Sequence, residues 1–187
     1  VRSDRVLDLA ADPLGGVWVA TAHGVGRITP AGHEAAPGSV SPGPLAVTGD
    51  AVWVGGPGGA ISLLKRAEGT WREVRAAGPE QAAVTQIVAA ADGTAWAGTA
   101  GDGLLRFASD GTPLPGFTPA DGHVTALVAA DDMVWAGTRG GRAYRLIGTP
   151  AGVDAQEFRV VENVAPPREG RAGRVAVPAG WFLMGSD

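Results

Sequence analysis

The sequence predicts an all-β chain, a β-propeller of four-stranded antiparallel blades, and three observations support that expectation. A Trp followed by small residues recurs at Trp18, Trp53, Trp96 and Trp135, at intervals of 35, 43 and 39 residues. A period of about 40 suits a propeller blade or a pair of helices. The 30 Gly and 14 Pro among 187 residues argue against helices. They interrupt the chain about every eight to twelve residues, a spacing that short strands tolerate and helices do not. The runs between these breaks are rich in Val, Ile, Leu and Thr, which suit a pleated, half-buried surface.

Four repeats follow, at about residues 4–39, 44–78, 83–121 and 123–163, inside a propeller region of residues 1–165. The first carries "GVWVATAHGVGRI" and then "HEAAPGSV", whose low β-propensity makes its fourth strand the weakest. The second reads "PLAVTG", "AVWVGG", "AISLLKR" and "TWREVRA". The third opens with "VTQIVAAA", and Asp92-Gly93 signals a type I′ hairpin before "TAWAGTA". "LLRFA" follows, then a ragged outer strand whose Pro113, Pro115 and Pro119 suit an edge. The fourth reads "VTALVAA", "MVWAGT", "RAYRLIG" and "QEFRVVE".

The recurring Trp has a physical reason in such a fold. A neighbour covers each face of a blade, so the second strand can be apolar throughout. Alternation sets Trp18 beside Ala20, Trp96 beside Gly98 and Trp135 beside Gly137 on one face. A large ring next to a missing side chain lets the next blade interlock with it. Burying an indole removes roughly 150–250 Å² from water, on the order of 4–6 kcal/mol at about 25 cal/mol per Å². Trp18, Trp53, Trp96 and Trp135 are therefore read as the anchors between blades, with a sugar-stacking platform as the alternative. Trp71, on an outer strand, is expected to matter much less.

The stretch "VTQIVAAADGTAWAGTAGDGLLRF" resembles the two-component-regulator propeller repeat: an apolar first strand, Asp-x-x-Gly, Trp-x-Gly-Thr, Gly-Leu, and an Arg-apolar ending. Repeat two departs with Gly56 in the Thr position, and repeat one has Ala20-Thr21 for Gly-Thr. The resemblance covers about residues 4–163. It implies a propeller of seven or more blades, often in an extracytoplasmic sensor, of which four blades would be a partial set. Four is also the smallest number that closes. Two faces of a partial set lie uncovered, so self-association through open blade faces is expected. "LGGVWVATAHGVGRITPAG" is also similar to the streptogramin-lyase-type repeat, whose Trp-Phe-Thr-Glu supplies a metal-holding Glu. The position three after each Trp is here Thr21, Gly56, Thr99 or Thr138, none of them a carboxylate.

After "VVENVAPP" the period fails. Residues 166–175 read as a polar, basic linker, and "VAVPAGWFLMGSD" is not a fifth cassette. It resembles the opening of the formylglycine-generating-enzyme (sulfatase-modifying factor) domain. Val177, Pro178, Ala179, Gly180, Phe182, Met184, Gly185 and Ser186 match that pattern. The resemblance implies that such a domain starts at about 176–187, with its catalytic cysteines and copper site beyond Asp187. One more propeller strand is the plain alternative. An opening without Met, signal-peptide core or cleavage site also suggests an excised piece.

Composition narrows the partners. A net charge of −4, with 15 basic residues scattered among 19 acidic ones, gives no broad positive field, so no nucleic acid is expected. No run of eighteen apolar residues occurs that would span a bilayer. The absence of Cys removes disulfides and thiolate chemistry. No phosphate-loop motif accompanies the glycines, and "GGPGGA" sits at a hairpin. His23, His33 and His123 fall in different turns, away from metal spacing. Asp12, Asp50, Asp92, Asp131 and Asp132 belong to first turns of blades. Arg139, Arg142 and Arg145 read as edge solvation, with anion binding as the alternative. No catalytic residue, cofactor or metal ligand is therefore expected in this chain. The expectation is a non-catalytic ligand- or partner-binding module, sensor-like, for a small molecule, glycan or protein. Two alternatives stand: a domain presenting substrate to a formylglycine-generating-type enzyme, and a metal-dependent lyase.

Overall fold

The computed structural model describes residues 5–38, 40–76 and 82–159. They form four separate antiparallel sheets of four strands, each a simple meander, with no helix among the described residues. Blade 1 is β1 (Val6–Ala11), β2 (Val17–Thr21), β3 (Gly24–Thr29) and β4 (Gly32–Ala35). Blade 2 is β5 (Leu45–Thr48), β6 (Ala51–Gly55), β7 (Ile61–Ala67) and β8 (Thr70–Ala76). Blade 3 is β9 (Val84–Ala89), β10 (Ala95–Thr99), β11 (Leu104–Phe107) and β12 (Pro113–Phe117). Blade 4 is β13 (Val124–Ala130), β14 (Met133–Thr138), β15 (Arg142–Thr149) and β16 (Gly152–Arg159). This is the blade architecture of a β-propeller.

Sequence chemistry accounts for the weak and the strong strands. β4 is the short, fully exposed strand expected of "HEAA". β12 sits at the outer edge of its sheet, where Pro113 and Pro115 remove no bond the sheet needs. The hairpin at Asp92-Gly93 differs from the type I′ expectation. The Gly93 amide donates to Ala90 O at 2.9 Å, the Ala90 amide donates to Thr94 O at 2.8 Å, and within the loop only Gly93 has positive φ. This is a three-residue loop, a type I turn closed by a left-handed Gly. Asp92 selects it by accepting bonds from the Thr94 amide and hydroxyl at 2.9 and 2.7 Å. The loop from Ala108 to Thr112 repeats the arrangement with Asp110 and Gly111.

The core consists of three apolar seams, each between consecutive blades. Trp18 and Ala20 of blade 1 pack on Leu45, Val52, Val54 and Leu64 of blade 2. Trp53, Ile61 and Leu63 of blade 2 meet Ile87, Ala95, Ala97 and Phe107 of blade 3. Trp96 and Leu104 of blade 3 meet Leu127, Val134, Ala136 and Leu146 of blade 4. Each blade thus offers its Trp-bearing face forward and its aliphatic face backward. Among the described residues no buried cluster joins blade 4 to blade 1. Among the described residues the blades form an arc with two open ends.

Candidate functional site

The repeat register shows what each seam is made of. Pairing aligns Leu9 with Leu45, Ile87 and Leu127, and Val17 with Val52, Ala95 and Val134. It aligns Ile28 with Leu64, Phe107 and Leu146. In blades 2 to 4 every one of these side chains is at most 6% exposed, whereas Leu9, Val17 and Ile28 are 59%, 37% and 50% exposed. On the forward side, Trp18, Trp53 and Trp96 are at most 2% exposed, and Trp135 is 37% exposed. Trp135 has the register of the other three but no blade in front of it among the described residues, and leans on Phe158 with 5.4 Å between ring centroids. A sugar ring has no access to the three buried indoles.

Small residues make the seams interlock. A Cβ on Gly98 would lie 2.6 Å from Val124 Cγ1 of blade 4, and one on Gly55 would collide with Val84 of blade 3. Polar ties then fix the register between blades. The Leu45 amide donates to Asp8 Oδ2 at 2.7 Å, and the Leu127 amide donates to Gln86 Oε1 at 2.6 Å. Asp8 and Gln86 hold equivalent positions on the first strands of blades 1 and 3. Arg106, cross-strand from Trp96, lays its guanidinium 5.2 Å from that ring and donates to Thr149 O of blade 4 at 2.8 Å. Gly148 leaves the room it needs. Trp71 departs from expectation: its ring meets Trp18 edge-on at 4.9 Å across the first seam. An outer strand can still reach the neighbouring blade when it carries an indole.

The first strands of successive blades lie side by side and line a cleft of about 530 Å³ on the inner side of the arc. Leu7 and Asp8 of β1, Val84 with Thr85 and Gln86 of β9, and Thr125 of β13 face it, together with Gly43 and Pro44 just before β5. Its polar groups are largely engaged by the fold. The Thr85 hydroxyl donates to Val124 O at 2.8 Å, and the Thr125 hydroxyl donates to Gly137 O at 3.3 Å. Hydroxyls and a side-chain amide with acceptor capacity left over can orient a ligand. They hold no nucleophile–base pair.

The remaining candidates are placed as follows. His23 is in the β2–β3 turn and His123 precedes β13, while His33 lies within β4 rather than in a turn. No three His, Asp or Glu among the described residues come together as metal ligands could. Two of the cassette threonines close turns: Thr21 Oγ1 donates to Gly24 O at 3.1 Å, and Thr99 Oγ1 donates to Gly103 O at 2.9 Å. Asp12 does more than cap a turn, because it is buried and ion-pairs with Arg27 as well as accepting from the Leu14 amide. Arg142 pairs with Glu157 at 3.6 Å, and Arg145 lies on the opposite, open face of β15. Asp121 accepts from the Gly140 amide at 2.6 Å. Desolvation pushes its pKa up, but hydrogen bonds from the Gly140 amide, the Thr138 hydroxyl and then the Asp121 and His123 amides outweigh it and hold the carboxyl below its ordinary range. Pro178, Gly180, Phe182, Met184 and Gly185 lie outside the described residues, as does the 166–175 linker.

No protein-family model and no curated protein sequence matches the chain. Solved structures do. The computationally designed Ika8 protein is 19% identical with a TM-score of 0.65, over 80% of this chain and 48% of that one. The designed Ika4 protein is 18% identical with a TM-score of 0.63, over 86% of this chain and 94% of that one. The extracellular domain of the putative one component system BT4673 from B. thetaiotaomicron is 17% identical with a TM-score of 0.58, over 88% of this chain and 30% of that one. The chain thus spans about half of Ika8, under a third of the BT4673 domain and nearly all of Ika4. At these identities the likeness is one of fold, a propeller-type arrangement of blades.

Proposed function

We propose that this propeller is a non-catalytic binding module of a sensor-like protein, receiving a small molecule, glycan or protein ligand at the axial cleft. The observation that supports this reading most is the convergence of the first strands of blades 1, 3 and 4, with the segment leading into β5, on one cleft whose facing groups are hydroxyls, an amide and a carboxylate. Such a set orients a ligand without reacting with it. The fold likeness to an extracellular domain of a one component system is consistent with a sensing role and an extracytoplasmic location. Thermal melting against a panel of soluble oligosaccharides, metabolites and short peptides tests it. A true ligand at about 100 times its Kd adds about 2.7 kcal/mol. Its shift should vanish in Thr125→Trp, which fills the cleft. A panel that moves the melting point of neither form, or moves both equally, contradicts the cleft reading.

A second reading draws on Pro178, Gly180, Phe182, Met184 and Gly185, which match the formylglycine-generating-enzyme opening. In it the propeller precedes such an enzyme domain and presents its substrate. A parent chain extending past Asp187 would convert Cys to formylglycine in a sulfatase-type peptide. Deleting the propeller would raise KM more than it lowers kcat. An extension without the family pattern for thirty residues or more contradicts this reading.

A further inference from the structure

The two open ends of the arc are complementary to each other, position by position. Val6 pairs with Thr21 as Val84 pairs with Thr99 and Val124 with Thr138, so the three Val are equivalent. Val84 and Val124 are buried in the notches over Gly55 and Gly98 of the preceding blade. Val6 is 55% exposed. At the other end, Gly137 has the register of Gly55 and Gly98, yet a Cβ there would meet nothing nearer than Ala126 of its own blade at 3.5 Å. One end carries the knob and the other carries the empty hole. Beside the knob lie exposed Leu9, Val17 and Ile28, and beside the hole lie exposed Val128, Trp135 and Phe158.

We infer that the occupant of each open face is the opposite face of a second copy of this chain, joined head to tail in a closed two-copy ring. The new seam continues the three internal ones: Val6 enters the Gly137 notch, and Leu9, Val17 and Ile28 cover Trp135. Arg145, equivalent to Arg106, then points at the partner's blade 1 hairpin. That hairpin, Thr29-Pro30-Ala31-Gly32, carries the same tetrapeptide as Thr149-Pro150-Ala151-Gly152, whose Thr149 carbonyl receives Arg106, and sits two residues closer to the sheet because Ile28 has the register of Leu146. Such a heterologous interface forms a ring when its rotation closes and a filament when it does not. Four blades matching half of the Ika8 chain are consistent with closure by four more. The inference goes beyond the ligand reading and does not depend on what the cleft binds.

Sedimentation equilibrium on the 187-residue chain, with two face-blocking variants, tests it. The wild-type particle should have twice the 18.8 kDa of one chain, with no growth at higher concentration. Val6→Asp spoils one face and Gly137→Trp the other, so each alone should be monomeric with an unchanged β-sheet circular dichroism spectrum. Mixed in equal amounts, they should recover a dimer through their two intact faces. A monomeric wild type, polymers that lengthen with concentration, or a Gly137→Trp variant that still dimerises would each overturn the proposal. A mixture that stays monomeric would also overturn it. If Val6→Asp loses its β-sheet spectrum, Leu9→Glu on the same face replaces it.

Discussion

Trp96 and Trp135 occupy the same position in adjacent blades, flanked by the same Ala-Gly-Thr, and their surroundings are opposite. Trp96 lies between sheets, stacked by Arg106 and covered by blade 4. Trp135 stands on an uncovered face with Phe158 beside it. The contrast recurs at the other end, where Leu9, Val17 and Ile28 are exposed and their nine counterparts are buried. Neither difference is local. The same cassette folds the same way in each blade, and only a neighbouring sheet turns it into core. Stability in this molecule therefore resides in the seams, as expected of an array whose units contact only their neighbours.

The largest expected effect separates the two tryptophans directly. Trp96→Ala should cost about 3–5 kcal/mol by chemical denaturation, because it empties a closed seam. Trp135→Ala should cost less than about 1 kcal/mol when measured on monomeric protein, for instance in the Val6→Asp background. Equal costs would erase the distinction between seam and open face.

Next comes the fit of the notches. Gly55→Ala drives a methyl group into Val84, an overpacking of about 1–3 kcal/mol, while Gly137→Ala should stay within about 0.5 kcal/mol. Both glycines have ordinary φ, so melting temperatures of the two variants isolate the steric contribution.

The polar ties should follow. Arg106→Ala removes a buried cation from Trp96 and from the Thr149 carbonyl, a loss of about 1–3 kcal/mol, whereas Arg145→Ala should be nearly silent in the monomer. Gln86→Ala should cost about 1 kcal/mol by leaving the Leu127 amide without its acceptor.

The smallest effect is a pH dependence. The Asp121 carboxyl is held below its ordinary value of 3.8, so its contribution is present above that value and lost as pH falls through the lower folded one. Acid titration of stability should be shallower in Asp121→Asn below about pH 4. An unchanged slope would mean that the Gly140 contact adds nothing.

Much of this was legible in the residues because it is local. Strand runs, Gly and Pro breaks and the Trp cassette mark every blade, and the poor fourth strand of blade 1 was visible in "HEAA". The hairpin at Asp92 was misread because Asp-Gly fits two loop lengths. The choice fell to Thr94, whose amide and hydroxyl both bind Asp92. The ties between blades beyond the Trp cassette were hidden, since their partners lie 37 to 53 residues apart with no fixed spacing. Trp71 against Trp18, Asp8 to the Leu45 amide and Arg106 to the Thr149 carbonyl all belong to this class. The axial cleft was hidden for the same reason, as it takes residues from several blades.

The central claim is that one repeat position is buried or open solely according to whether a blade stands in front of it. Fluorine NMR of 5-fluorotryptophan-labelled Val6→Asp protein tests this most directly. Single Trp→Phe variants assign the resonances, and a soluble paramagnetic agent reports access at a concentration where sedimentation shows a monomer. Trp135 should broaden strongly while Trp18, Trp53 and Trp96 stay sharp. Protection of Trp135 equal to theirs would mean that the four blades close on themselves, and the account of an open arc would be wrong.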